Sequence, residues 1–151
     1  IDMREARDII QAYFANFPTI NAWLEKTKEF ARKKGYTETL AGRRRYLPNI
    51  NNKNSVVRQR DERIAINMPV QGTAADMIKI AMINIYAEFK KKKLKSKMIL
   101  QVHDELVFDC EKSELDTVKK IVQNKMKNAL KLDAPIDVEM GEGINWYEAH
   151  A

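Results

Sequence analysis

The sequence contains a single cysteine, Cys110, among its 151 residues. One cysteine cannot form a disulfide within the chain, so disulfide-stapled secreted folds are excluded and a reducing, intracellular compartment is expected. Glycine and proline are also scarce, at 5 and 4 residues, which excludes collagen-like and low-complexity chains. No apolar run reaches the roughly 18 residues that a membrane-spanning helix needs. The sequence therefore predicts a soluble globular domain, or part of one, with no membrane partner.

The amino-terminal residues lack the features of a targeting peptide. Residues 1–6 include no starting methionine, and they carry charges of both signs within a predicted helix. This differs from the apolar core of a signal peptide and from the acid-poor composition of a transit peptide. We therefore expect the sequence to be a segment of a longer, cytoplasmic chain.

Basic residues are in excess, and they are unevenly distributed. Residues 1–95 contain 20 Lys and Arg against 10 Asp and Glu, a net charge of +10, whereas residues 96–151 contain 7 against 11, a net charge of −4. A basic surface favours a polyanion, and an acidic end beside it favours a divalent cation that bridges the two. Any single basic run, such as Lys90 to Lys93, is also explained as a solvated helix end.

Apolar residues recur at helical spacing through most of the first 92 residues. This periodicity, with breaks at Phe17-Pro18 and Gly35, predicts two helices, a short hairpin and two further helices. Pro69 has no amide donor and its ring clashes with the carbonyl of Ala65, so it must end or kink the helix that contains it. The predicted elements are helices 3–15 and 18–34, strands 36–40 and 44–47, and helices 55–67 and 69–92.

The last third of the sequence changes period. Residues 98–102 and 106–108 are apolar and partly β-branched, and the polar residues between them predict a β-hairpin with a polar tip. A helix with an apolar face follows, to about residue 130. Alternation of Ile136, Val138 and Met140 with acidic residues predicts a last strand. The expected fold class is α+β, with a small antiparallel sheet, two helices on its buried face and a helical, basic amino-terminal part.

The tip of the predicted hairpin is a candidate metal site. By composition alone, His103, Asp104 and Glu105 form an ordinary solvated turn. A rigid hairpin would nevertheless fix the carboxylates, as the strict octahedral geometry of Mg²⁺ requires. Consecutive strand residues point to opposite faces, so we expect Asp104 to be the ligand and Glu105 a secondary or orienting group. For His103, a hydrogen bond to a phosphate or sugar oxygen and a plain turn residue are equally good interpretations.

A second candidate site is a polar line along the predicted helices around Pro69. Arg63, Asn67 and Gln71 recur every four residues, with a drift of about 40° per step. A structural interpretation is that Arg63 is solvated and Asn67 caps the helix after Pro69. The functional alternative is that carboxamides in the DNA minor groove meet the purine N3 and pyrimidine O2 acceptors that every base pair presents. Such contacts would test base-pair geometry without reading sequence.

Three consecutive arginines, Arg43, Arg44 and Arg45, fall in the predicted short hairpin. Guanidinium groups suit the phosphates of a nucleic acid. Alternate residues of a strand face apart, however, so we do not expect all three to contact one DNA backbone.

Four blocks of the sequence resemble the family-A DNA polymerases, of the bacterial DNA polymerase I type, and they occur in the same order. The resemblance covers essentially the whole sequence. The block around the hairpin tip is similar to the third conserved motif of that family, and the others match its flanking stretches. The blocks are residues 39–48 (TLAGRRRYLP), 62–76 (ERIAINMPVQGTAAD), 101–108 (QVHDELVF) and 143–150 (GINWYEAH).

The resemblance implies a subdomain organisation and a chemistry. Residues 1–70 would end the fingers subdomain, and residues 71–151 would form the carboxyl-terminal part of the palm. Asp104 and Glu105 would be catalytic metal ligands for two Mg²⁺ ions, with Mn²⁺ as a substitute. The DNA-binding residues would be Arg43, Arg44, Arg45, Arg63, Asn67, Gln71 and His103.

The family also implies partners and a limit. The partners are primer-template DNA, deoxynucleoside triphosphates and the remainder of the polymerase chain, in a cytoplasmic, nucleoid-associated bacterial protein of replication and repair. The family's other essential aspartate and its triphosphate-gripping fingers helix have no match here, so we expect the isolated chain to be inactive. Two alternatives remain: a non-catalytic nucleic-acid-binding module, which would not need Asp104-Glu105, and a single-subunit RNA polymerase, which usually has Ser after the aspartate.

Overall fold

The computed structural model describes residues 2–150, which form two compact units that divide between Thr73 and Ala74. The mixture of helices and small antiparallel sheets confirms the α+β fold class. Each helix within residues 2–150 is too short or too polar to span a lipid bilayer.

The first unit is mainly helical, and its helix ends follow the capping signals in the sequence. Asp2 accepts hydrogen bonds from the amides of Arg4 and Glu5 before the first helix, both at 2.8 Å, and Gly35 ends the second helix in the left-handed conformation, at φ 76°. Only glycine adopts that conformation without strain. The elements are α1 (Met3–Asn16), α2 (Pro18–Lys34), β1 (Tyr36–Glu38), β2 (Arg44–Tyr46), α3 (Ser55–Asn67) and a π-helical turn (Met68–Gly72).

A small core joins α2, α3 and the loop after β2. It consists of Ala31, Leu47, Ile50 and Ala65, each no more than 2% exposed. At the surface, α2 and α3 are also joined by an ion pair between Arg32 and Glu62, at 2.8 Å. The apolar periodicity of α1 predicted this helix correctly. By contrast with α2 and α3, however, α1 has no buried residue, so its apolar face is not packed within this unit.

The helix α3 ends at Asn67, two residues before Pro69, as predicted, but no new α-helix begins at Pro69. The chain instead continues from α3 through the π-helical turn into a long helix, α4 (Thr73–Lys92), with right-handed helical backbone angles on both sides of the turn. A π-turn has a wider hydrogen-bonding pattern than an α-turn and so avoids the i to i−4 bond that proline cannot make. The carbonyl of Ala65, which is four residues before Pro69, accepts a hydrogen bond from the buried hydroxyl of Thr37 at 3.1 Å.

The second unit packs two helices on one hairpin. Its core consists of Ala81, Ile85 and Phe89 from α4, and Val118, Ile121 and Val122 from α5. Met98, Leu106 and Phe108 of the hairpin pack against this core, and the Phe89 and Phe108 ring centroids are 5.9 Å apart. The elements after α4 are β3 (Lys97–Val102), β4 (Glu105–Asp109), a 3₁₀ turn (Lys112–Glu114), α5 (Leu115–Lys127) and α6 (Trp146–Ala149).

The predicted last strand is wrong. Ile136 and Val138 are half-buried and alternate with exposed acidic residues, as expected, whereas Met140 is exposed. In addition, residues 135–140 pair with no strand in the described part of the chain. Alternating burial requires only an extended backbone with one packed side, whereas a strand also requires a hydrogen-bonded neighbour. The described sheets are therefore two separate two-stranded hairpins.

Candidate functional site

The hairpin of β3 and β4 presents its polar tip on a rigid base. Val102 pairs with Glu105, so His103 and Asp104 form a two-residue turn, and all three tip residues, 103–105, are exposed. The strands below the tip pack against the core of the second unit through Leu106 and Phe108. This packing fixes the strand ends from which the tip side chains project.

His103 has an unusual backbone conformation, with φ at 52°. A residue other than glycine in this left-handed region costs about 1 to 2 kcal/mol relative to the right-handed region. The carbonyl oxygen of His103 accepts a hydrogen bond of 2.5 Å from the side-chain amide of Gln101, which stabilises the turn locally. Backbone strain of this kind occurs preferentially at functional sites.

The two carboxylates at the tip differ in their surroundings. Glu105 is the first residue of β4, and its Oε1 lies 2.8 Å from Nε2 of His150, beside the carboxyl-terminal helix α6. Asp104 lies in the turn, is exposed, and makes no hydrogen bond or ion pair with another residue in the described part of the chain. Asp104 is thus the carboxylate that is available to an external ligand. The contact between His150 and Glu105 has no local signal in the sequence, because 45 residues separate the two.

The donor chemistry at the tip fits Mg²⁺ but does not make a complete site. Mg²⁺ prefers oxygen ligands and is commonly held by one or two carboxylates together with substrate phosphates. Asp104 and Glu105 supply such oxygens. Among residues 2–150, however, no group of three or more His, Cys, Asp or Glu side chains is close enough to hold a metal ion.

The polar line of the first unit is exposed along its whole length. Arg63 and Asn67 lie on α3 and Gln71 lies in the π-helical turn, and none of these side chains has a hydrogen-bonding or ionic partner among the described residues. In particular, Asn67 does not cap the next helix with its side chain, which removes the structural interpretation of that residue. A π-turn closes wider hydrogen-bonded rings than an α-turn and so rotates less per residue. Gln71 therefore does not follow Asn67 with the drift of a regular α-helix.

Gly72, which directly follows Gln71, packs closely on the β1–β2 hairpin because it has no side chain. A Cβ added at Gly72 would lie 2.7 Å from Cγ2 of Thr39 and 2.8 Å from Sδ of Met68, both shorter than a normal contact. The carbonyl oxygen of Gly72 also accepts a hydrogen bond from Nη2 of Arg43, at 3.1 Å. The position of Gln71 is thus tied to the arginine-bearing hairpin.

The three arginines of that hairpin are in different environments. Arg43 donates to Gly72, as described above. Arg44 is bound to Glu38 at 3.3 Å and stacks on the ring of Tyr36, with its guanidinium carbon 4.6 Å from the ring centroid. Arg45 pairs with Thr37, on the opposite face from Arg44, and has no side-chain partner among residues 2–150. Arg45 is therefore the arginine of the three with a fully available charge.

The comparisons with known proteins cover the whole of this chain. The family model described as DNA polymerase family A matches residues 1–148. The thermostable DNA polymerase I of Thermus filiformis is 47% identical over 149 residues, and the DNA polymerase I of Bacillus subtilis (strain 168) is 43% identical over 149 residues, each covering 99% of this chain. A solved structure, the POL domain of Pol1 from M. smegmatis in complex with a DNA primer-template and dNTP, matches 100% of this chain with a TM-score of 0.96 and 42% sequence identity.

The matched region is a small part of each of these proteins. The chain spans 18% of the Thermus filiformis polymerase, 17% of the Bacillus subtilis polymerase and 27% of the solved chain. A family model that matches residues 1–148, together with relatives of this similarity over nearly the whole sequence, shows that the chain belongs to the family-A DNA polymerases.

Proposed function

We propose that this sequence forms the carboxyl-terminal part of a DNA-directed DNA polymerase, called the parent polymerase below, that extends a primer on a template strand. Residues 1–70 would end the fingers subdomain and residues 71–151 would form the carboxyl-terminal part of the palm. The substrates would be primer-template DNA and deoxynucleoside triphosphates, and the parent polymerase would be a cytoplasmic, nucleoid-associated bacterial protein. The observation that carries the proposal is the Asp104-Glu105 tip, held on a packed hairpin, in a chain of this family.

We assign Asp104 and Glu105 different parts in the reaction. Asp104 would be the direct Mg²⁺ ligand, because its carboxylate is exposed and has no partner among residues 2–150. Glu105 would act as a secondary ligand, because its carboxylate is already bound to His150 at 2.8 Å. In the complete site, two Mg²⁺ ions, for which Mn²⁺ can substitute, would neutralise charge on the triphosphate and activate the primer 3′-oxygen.

The DNA-binding surface would combine amide contacts with basic contacts. Asn67 and Gln71 would donate to minor-groove acceptors of the terminal base pairs, with Arg63 beside the template. Arg45 would contact a template phosphate, while Arg43 and Arg44, which are held by Gly72 and by Glu38 and Tyr36, would shape the hairpin and add to its positive field. His103 would lie beside the primer terminus.

Among the described residues, Asp104 and Glu105 are the carboxylates that we assign to the metal site. Two-metal catalysis needs more carboxylate ligands than these two. Two metal ions about 4 Å apart require carboxylates from more than one strand. Catalytic groups that act as a unit are strongly non-additive, so we expect the isolated 151-residue chain to extend no primer at all.

Primer extension tests the proposal with three proteins and one control variant. The parent polymerase should incorporate deoxynucleotides, its Asp104→Ala variant should bind the primer-template normally but incorporate none, and the isolated chain should incorporate none. Asp109→Asn is the matched control, because Asp109 is an exposed carboxylate at the other end of β4, and it should leave extension unchanged. Full activity of the Asp104→Ala variant would refute the assignment, and a preference for ribonucleotides would indicate an RNA polymerase instead.

A further inference from the structure

We propose that His150 is a positioning residue that holds the Glu105 carboxylate, and that the segment from residue 141 to residue 150 is a latch that holds His150 in place. The inference rests on the proposed function, because it assigns a controlling contact to the same hairpin tip. Its consequence is that the carboxyl-terminal segment influences the reaction without contacting the substrate.

The contact itself joins two elements that are distant in sequence. Nε2 of His150 lies 2.8 Å from Oε1 of Glu105, and both side chains are about half-exposed. The Trp146 ring meets the His150 ring edge-on, with centroids 5.7 Å apart, at the other end of α6. The imidazole is thus held between an aromatic ring and the Glu105 carboxylate, which limits the rotamers that both side chains can adopt.

A network of hydrogen bonds builds the short helix that carries His150. The side-chain oxygen of Asn145 accepts from the amide of Glu148 at 2.9 Å, and the Asn145 side-chain nitrogen donates to the Glu148 carboxylate at 3.1 Å. The amide of Ile144 donates to the same carboxylate at 3.3 Å. A four-residue helix is too short to be stable alone, so these capping bonds determine whether α6, and with it His150, stays in position.

Two glycines allow the preceding chain to pass directly against α6. A Cβ at Gly143 would lie 2.6 Å from Cβ of Glu148 and 2.7 Å from the amide nitrogen of Ala149, and a Cβ at Gly141 would collide with the carbonyl oxygen of Ala149. The obstacles at Ala149 are backbone atoms, which cannot rotate away. Any side chain at residue 141 or 143 would therefore displace the end of α6, which directly precedes His150. The same segment is attached to α5 by an ion pair of 2.8 Å between Glu142 and Lys119.

The latch separates the roles of the two tip carboxylates. Asp104 is free to meet a ligand, whereas Glu105 can approach the same ligand only from the direction that His150 permits. If His150 is removed, Glu105 gains rotamers in which its carboxylate points away from the site, and the fraction of productive arrangements falls.

The first test measures primer extension by the parent polymerase. His150→Ala should lower kcat by about two- to five-fold, the range for an exposed charged contact, with little change in the KM for deoxynucleotide. His150→Gln should restore most of the loss, because its amide can donate to Glu105. In a Glu105→Ala background, His150→Ala should have no further effect. Tyr147→Ala is the control, because Tyr147 is 87% exposed on the same helix, and it should be neutral.

The second test uses no metal and no substrate. In the parent polymerase labelled with 5-fluorotryptophan, Glu105→Ala should shift the ¹⁹F resonance of Trp146, which is assigned by Trp146→Phe. Glu111→Ala, which removes another exposed carboxylate of the same unit, should not shift it. An unshifted Trp146 resonance, or equal losses of kcat in His150→Ala and His150→Gln, would overturn the latch. A parent polymerase that extends no primer but shows the ¹⁹F shift would instead refute the proposed function and leave the contact intact.

Discussion

The hydroxyl of Thr37 donates to a carbonyl that Pro69 leaves without its usual helical donor. The Thr37 Oγ1 lies 3.1 Å from the Ala65 oxygen, and both residues are at most 1% exposed. Thr37→Val keeps the shape of the side chain and removes the donor. A buried acceptor that loses its partner costs about 1 to 3 kcal/mol, so we expect the free energy of unfolding of the first unit to fall by that amount.

A second substitution tests the reason for this cost. Pro69→Ala restores an amide that can donate to the Ala65 carbonyl, so the Thr37→Val change should be milder in a Pro69→Ala background. The difference between the two backgrounds measures the coupling of Thr37 to the proline, and we expect about 1 kcal/mol, within the range for residues that share a partner.

Fluorescence can report on the first unit alone. The chain has two tryptophans, and in a Trp146→Phe background the signal comes from Trp23 of α2. Urea unfolding followed at Trp23 should show a lower midpoint for Thr37→Val with an unchanged slope. An equal cost of Thr37→Val with and without the Pro69→Ala substitution, or no cost in either background, would refute the account of the π-helical turn.

Three further predictions concern DNA binding and acid stability. In the parent polymerase, Gln71→Ala should keep measurable turnover and raise the Kd for primer-template by about two- to ten-fold, as expected for one hydrogen bond; an unchanged Kd would contradict this. Arg45→Ala should reduce the log–log salt slope of binding by about 1, and a salt-independent affinity of the unsubstituted protein would contradict this. Hydrogen bonds from the Lys95 amide and from Ser96 lower the pKa of Glu114. The stability that Glu114 contributes is therefore present above the pKa of an unfolded glutamate and lost as pH falls through its lower folded pKa, and urea midpoints of Glu114→Gln should lack this acid dependence.

Local signals in the sequence were sufficient to predict most of the fold. The helices 3–15 and 18–34 and the hairpin tip were predicted within one or two residues, because Pro18 and Gly35 act on the backbone directly and the period changes sharply at residue 98. The strand predicted at 136–140 failed for a different reason. Its pattern reports which side of the chain is packed, and the existence of a neighbouring strand is a property of the fold that no local pattern contains.

The π-helical turn in the polar line is a second feature that the local sequence pattern does not predict. The sequence identifies Pro69 as an obstacle to an α-helix, but it does not show that the Ala65 carbonyl accepts a hydrogen bond from Thr37 of β1, which is 28 residues away. The direction of the Gln71 side chain depends on the geometry of this wider turn. The spacing of Arg63, Asn67 and Gln71 was therefore enough to predict an exposed line, and not enough to predict how its last member is oriented.

The difference between Asp104 and Glu105 also has its origin outside the motif that contains them. Adjacent carboxylates in one turn are chemically almost equivalent, and strand alternation separates them only in direction. The contact with His150 makes them unequal, because it occupies Glu105 and leaves Asp104 without a partner among residues 2–150. That contact depends in turn on Gly141 and Gly143, which permit the close approach of the chain to α6. The carboxyl-terminal residues thus shape the candidate site through packing, even though no residue beyond Glu105 supplies a predicted ligand.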